Sequence, residues 1–187
     1  MKRHAKNGRQ GFTLVELLVV IVIILLLAAI LVPGLSGAFR AAEKRRAMGQ
    51  MKDLEGALKS YFTEYGDFPV GWSANDAAYG TGTKNSKIVD PLLNRNTDAG
   101  KGKNTGVNYK GRVFLELESG AQASYDEKGE YLDPWNKPYE ILLDLDFDDE
   151  IASGTGSSQT KAIKAKVAVQ SSGPDGKFGT KDDLKTW

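Results

Sequence analysis

The chain contains no cysteine, and its one histidine is His4, near the start. A disulfide framework and thiolate metal sites are therefore excluded. Ser-His and Cys-His catalysis and histidine-ligated zinc are excluded from everything beyond the first few residues. The chain also lacks an excess of either charge. Its net charge is +1, and Lys2, Arg3, Lys6 and Arg9 account for four of the 25 basic residues, leaving 21 basic against 24 acidic side chains. This is no footprint for nucleic-acid binding. With 187 residues the chain is long enough for one globular domain and an appendage.

What the N-terminal third does have is an apolar run. From Phe12 to Val32 the only charge is Glu16 and the only other polar side chain is Thr13. At a helical rise of ~1.5 Å per residue the run spans about 30 Å, roughly the hydrocarbon thickness of a bilayer. It is a transmembrane helix candidate. The basic cluster precedes it, so the N-terminus is expected on the cytoplasmic side and the rest of the chain outside. Two plainer readings compete. A secretory signal peptide has a small-x-small site available at Ser36-Gly37-Ala38, but its apolar core is usually only ~7 to 15 residues long. A simple single-pass anchor leaves Glu16 unexplained, because a charge in apolar surroundings costs on the order of 2.5 kcal/mol or more.

The sequence Gly11-Phe12-Thr13-Leu14-Val15-Glu16 resembles the processing motif of the type IV pilin-like family, and the chain most resembles the major pseudopilins of type II secretion systems. The resemblance implies a basic prepilin leader, residues 1–11, cut after Gly11 by a prepilin peptidase that methylates the new amine on Phe12. It implies a transmembrane and polymerisation helix over 12–34 and a periplasmic pilin-like domain over 35–187. Glu16 becomes the buried acid that pairs with the Phe12 ammonium of its own or a neighbouring chain, so that a mis-stacked subunit leaves an unpaired charge. The implied fold is α+β: one long N-terminal α-helix, half transmembrane and half amphipathic, packed on a small antiparallel β-sheet.

The residues beyond the run give their own reading. Pro33-Gly34 predicts a kink or melted turn. Helical periodicity then resumes, with Leu35, Phe39, Met48, Met51, Leu54, Leu58, Tyr61, Phe62 and Tyr65 forming one core-facing stripe. Gly66-Asp67-Phe68-Pro69 supplies the stop. Residues 71–111 are rich in Gly, Asn, Thr, Ser and Lys and read as a long variable loop, with a short helical piece near Ile88 to Leu93. Val113–Leu117, Tyr139–Leu143 and Ala165–Val169 read as strands. Asp133-Pro134-Trp135-Asn136-Lys137-Pro138-Tyr139 resembles a pseudopilin segment that has glycine where Asn136 stands. Asparagine tolerates the left-handed backbone such a turn needs, and Trp135 is expected as a core anchor.

Two acidic clusters follow. Asp144, Asp146, Asp148 and Asp149 have calcium-loop spacing but lack the glycine an EF-hand requires, and read as a solvated hairpin turn. The segment Ser172–Asp183 is similar to the C-terminal calcium loop of major pseudopilins. That resemblance implies calcium as cofactor, with Asp175 and Asp183 as ligands and Asp182 as a weaker one. The function implied is structural, not enzymatic: a subunit that polymerises with itself and with minor pseudopilins into a periplasmic filament rooted in the inner membrane. A cytoplasmic assembly ATPase would extend it through an inner-membrane platform, helping folded proteins leave through a secretin. The alternative within the family is a pilin used for adhesion, motility or DNA uptake. From another class, a membrane-anchored hydrolase using paired carboxylates finds no pair whose surroundings separate an acid from a base.

Overall fold

The computed structural model describes residues 12–95, 107–117, 125–126 and 129–187, without the side chains of 31–35. The basic leader with Gly11, and residues 96–106 of the expected loop, lie outside these. The chain divides into two compact units, residues 1–42 and 43–187.

Helix α1 (Leu14–Tyr65) begins at a reciprocal cap. The Thr13 hydroxyl accepts from the Glu16 amide at 3.3 Å, while the Glu16 carboxylate accepts from the Thr13 amide at 2.9 Å and its hydroxyl at 2.8 Å. Thr13-Leu14-Val15-Glu16 is thus a capping box, which satisfies amides left without partners in the first turn. The helix continues through residues 31–35, so the melted turn expected there does not form. Gly66, at φ +73, ends the helix in a left-handed cap, its amide donating to the Phe62 carbonyl at 2.8 Å.

In the 43–187 unit, helix α2 (Ser86–Leu92) falls where a helical piece was expected. The sheet runs β1 (Ala77–Tyr79), β2 (Glu140–Leu143), β3 (Val167–Ser171), β4 (Leu184–Lys185) in that spatial order, every pair antiparallel. Alternation along β2 and β3 divides their side chains between two faces. Ile141, Leu143, Val167 and Val169 join Met51, Leu54, Leu58 and Tyr61 of α1 in the main core. Leu142 and Ala168 point the other way, under Ile151 and Ile163, whose backbones bridge the segment over them. Both central strands are consequently buried along their whole length.

Three expectations are corrected. Val113–Leu117 is no strand: the amides of Phe114 and Leu115 both donate to the Leu92 carbonyl, at 2.8 and 3.1 Å. Its alternation is satisfied by docking Leu115 against the end of α2 instead of by a ladder. The sheet edge is taken by β1, inside the stretch read as loop, where Ala77-Ala78-Tyr79 is too short to signal a strand. Phe39 does not join the core stripe; it stands 65% exposed.

Candidate functional site

Two regions carry the residues singled out by sequence. In the first, Phe12 and the large apolar side chains from Leu14 to Ile30 are all exposed, between 45% and 83%. The surface is apolar on every side of the helix, which is the pattern of a segment covered by lipid or by other helices. Among the described residues no helix is long and apolar enough to cross a membrane. Glu16 is the one acid on this surface, and the structure gives it a partner that sequence reading missed. Thr13, three residues before, was legible as such through the Thr-x-x-Glu spacing.

The second region is the loop between β3 and β4. Gly173, at φ +64, brings the chain so close to Asp182 that a Cβ there would lie 2.5 Å from the Asp182 carbonyl oxygen. Only glycine fits both the conformation and the approach. The Asp182 carboxylate accepts from the Asp175 amide at 3.1 Å and from the Thr180 hydroxyl at 2.5 Å. The Thr180 hydroxyl, first, and the Asp175 amide hold the Asp182 carboxyl below the usual carboxylate range. Asp183 accepts from the Gly179 amide at 2.8 Å and lies 3.4 Å from the same Thr180 hydroxyl. Its side chain is only 4% exposed. Asp182 and Asp183 are thus gathered about Thr180, while the Asp175 carboxylate folds back onto the Lys177 amide at 2.8 Å. The donors are all hard oxygens, the type that suits calcium. The structure brings Asp182 and Asp183 together but not Asp175, and among the described residues these three are not a group whose oxygens converge closely enough to hold an ion.

The turn expected to be solvated is partly interior. Asp144 is fully buried and accepts from the Phe147 and Asp149 amides at 2.7 and 3.0 Å. Burial pushes its carboxyl up, those two amides pull it down, and neighbouring Asp76 and Asp146 push it up again. Asp76 comes from before β1 and accepts from the Leu145 and Ala152 amides at 3.0 and 2.6 Å. Oxygens of Asp76, Asp144 and Asp146 lie within 4.8 Å of one another. Asp76 was not legible, because nothing local marks a partner so remote in sequence. Trp135 packs half-buried at the edge of the core and also donates from Nε1 to Glu43 at 3.2 Å.

A family model described as Prokaryotic N-terminal methylation motif matches residues 6–32. The capped apolar helix begins within this motif. Over nearly its whole length it is similar to curated proteins named Type II secretion system core protein G. The one from Aeromonas hydrophila is 27% identical over 182 residues, 97% of this chain and 94% of that protein. The one from Escherichia coli (strain K12) is 25% identical over 183 residues, 98% and 94% of the two chains. Among solved structures, the major pseudopilin from the type 2 secretion system of enterohaemorrhagic Escherichia coli is 19% identical, with a TM-score of 0.37 over 83% of this chain and 95% of that one.

Proposed function

We propose that this chain is the major pseudopilin of a type II secretion system, a structural subunit without catalytic activity. The observation that carries this reading is the apolar surface of Phe12–Ile30, bare on all sides of a helix that starts in the methylation motif. Such a surface is stable only under lipid or under copies of itself. Before assembly, residues 12–34 sit in the inner membrane, with the basic leader cytoplasmic and the 43–187 unit periplasmic. A prepilin peptidase cuts after Gly11. The subunits then polymerise, together with minor pseudopilins, driven by the assembly ATPase through the inner-membrane platform, and the filament helps pass folded proteins through the secretin. Calcium, on drawing Asp175 to Asp182 and Asp183, stabilises the periplasmic unit.

Within this function Glu16 acts at two moments. In a lone chain it caps α1 through Thr13; in the filament it meets the ammonium of Phe12 on a neighbour. A carboxylate already held by hydrogen bonds is less costly to keep in apolar surroundings. Mass spectrometry of the membrane-extracted protein should show N-methylated Phe12 as its first residue; an intact Met1, or Phe39 first, refutes the prepilin reading. Glu16→Ala should insert and be cleaved yet fail to assemble. If it assembles as the unaltered chain does, the register role of Glu16 is wrong.

A further inference from the structure

Charge in the 43–187 unit is sorted along its helix. At the near end Lys44, Arg45 and Arg46 are exposed at successive positions. Successive residues are about 100° apart around a helix, so the three form a collar over more than half of its circumference. Among the described residues none of them is in an ion pair. About 25 Å further along the helix, at ~1.5 Å per residue, lies Phe62. The ring of Phe147 packs on Phe62 at 5.6 Å between centroids. That contact plants the segment Asp144–Glu150 at the far end. Lys166 pairs with Asp149 at 3.1 Å. Asp146 and Asp148 are exposed and Glu150 half-exposed, all three without a cationic partner among the described residues. Asp146 is further crowded by Asp76 and Asp144. Lys44 is partly offset by the nearby Asp182 carboxylate, so the acidic ridge and a collar carried chiefly by Arg45 and Arg46 occupy opposite ends of one unit.

We propose that the ridge Asp146, Asp148 and Glu150 of one copy docks on the collar Lys44, Arg45 and Arg46 of a second copy. Contact between two different patches is heterologous, and where its rotation does not close, as the filament reading requires, it repeats into a filament. The inference rests on the filament reading and adds the surface that sets the spacing of successive periplasmic units. Complementary charge at such a contact fixes register and rejects wrong placements. Being exposed, it weakens as salt rises.

The absence of cysteine permits a direct test in the full-length chain, assembled in membranes. Asp148→Cys and Arg45→Cys are too far apart within one copy for a disulfide, whose Cα atoms lie under about 7 Å apart. Together in one chain they should give a ladder of linked multimers on mild oxidation, and either alone no more than dimers. Asp146→Lys with Asp148→Lys should lower filament yield roughly tenfold, as should Lys44→Glu with Arg45→Glu. All four together should restore the yield. If the unaltered chain forms filaments but the paired cysteines give no ladder and the four-fold exchange no rescue, the docking surface is wrong and the filament reading stands. Collar variants that lose only binding to anionic vesicles assign the collar to lipid and overturn the proposal. If the unaltered chain forms no filaments, both readings fall.

Discussion

Asn85 is buried without exposure and uses every bond its amide offers locally. Its Nδ2 donates to the carbonyls of Tyr131 and Tyr139 at 2.9 and 3.0 Å, and its Oδ1 accepts from the Tyr131 amide at 2.9 Å. The start of α2 is thereby joined to the approach to β2. The Tyr131 carbonyl also accepts from the Tyr139 amide at 3.2 Å, so truncation strands two buried backbone groups, the Tyr131 amide and the Tyr139 carbonyl, each worth about 1 kcal/mol or more. Asn85→Ala should therefore cost about 2 kcal/mol in denaturant unfolding of the detergent-solubilised chain, and a loss under about 0.5 kcal/mol would contradict the clamp. Asp90 is a second buried polar residue, 4% exposed, accepting a hydrogen bond from the Tyr125 hydroxyl. Burial pushes its carboxyl up to about 6, against a partial opposing pull from Arg95. A folded pKa above the unfolded one means the folded chain holds a proton the unfolded chain has released. The associated stability is complete below the unfolded pKa and disappears as pH rises through about 6. Between about pH 5 and pH 7 the chain should lose roughly 1 kcal/mol from this group. Asp90→Asn should flatten that part of the profile, and an unchanged slope would place the titration elsewhere.

At the scale of elements, α1 holds glycines that nothing among the described residues requires, Gly49 and Gly56 in the 43–187 unit and Gly37 before it. A Cβ at Gly49 or Gly56 would meet nothing within 4 Å, and neither has a positive φ. Glycine inside a helix is worth roughly 0.5 to 1 kcal/mol less than alanine. Gly49→Ala and Gly56→Ala should each raise the unfolding free energy of the solubilised chain by about that amount, whereas a loss would reveal a hidden contact. The same helix shows how far sequence reaches. Met51, Leu54, Leu58 and Tyr61 were legible as core because a 3.6-residue period is written into the side chains themselves. Gly66 was legible because only a left-handed cap explains glycine at that point, and Asn136, at φ +61, takes the conformation its position called for. Strands β2 and β3 were legible within two residues as dense apolar runs between turns. What was not legible depends on distant partners. Val113–Leu117 alternates like a strand, yet the Leu92 carbonyl takes its amides; β1 exists only because β2 offers Ala77–Tyr79 a ladder. In the loop after β3, sequence supplied the aspartates, but not which amide each one holds.

For the whole molecule, that loop decides how firmly the end of the sheet is held. β4 comprises only Leu184 and Lys185, too short to stay paired without help. It is supported on one side by the bonds that join Thr186 to Val169, amide to carbonyl and amide to hydroxyl, both at 3.1 Å. On the other side stands the loop, where Asp182 and Asp183 share Thr180 and Asp182 closes on Gly173. Without a bound ion these carboxylates are restrained by exposed hydrogen bonds and by the Lys185 ammonium of β4, 4.0 Å from Asp183. Calcium bound there would tie the loop to β4. An ion that binds only the folded chain stabilises it by mass action, about 2.7 kcal/mol when its free concentration is a hundredfold above the dissociation constant. For a unit of this size that corresponds to a melting temperature higher by roughly 5 to 10 °C. The full-length chain in detergent should therefore melt later with excess calcium than with chelator. Asp183→Asn, which keeps the shape and removes a charge from the most enclosed carboxylate, should melt at nearly the same temperature in both conditions. Asp146→Asn, in the other acidic cluster, should still respond to calcium as the unaltered chain does. A calcium shift that survives Asp183→Asn and disappears with Asp146→Asn would move the ion to the Asp76, Asp144 and Asp146 group, and no shift in the unaltered chain would leave the loop a hydrogen-bonded turn and nothing more.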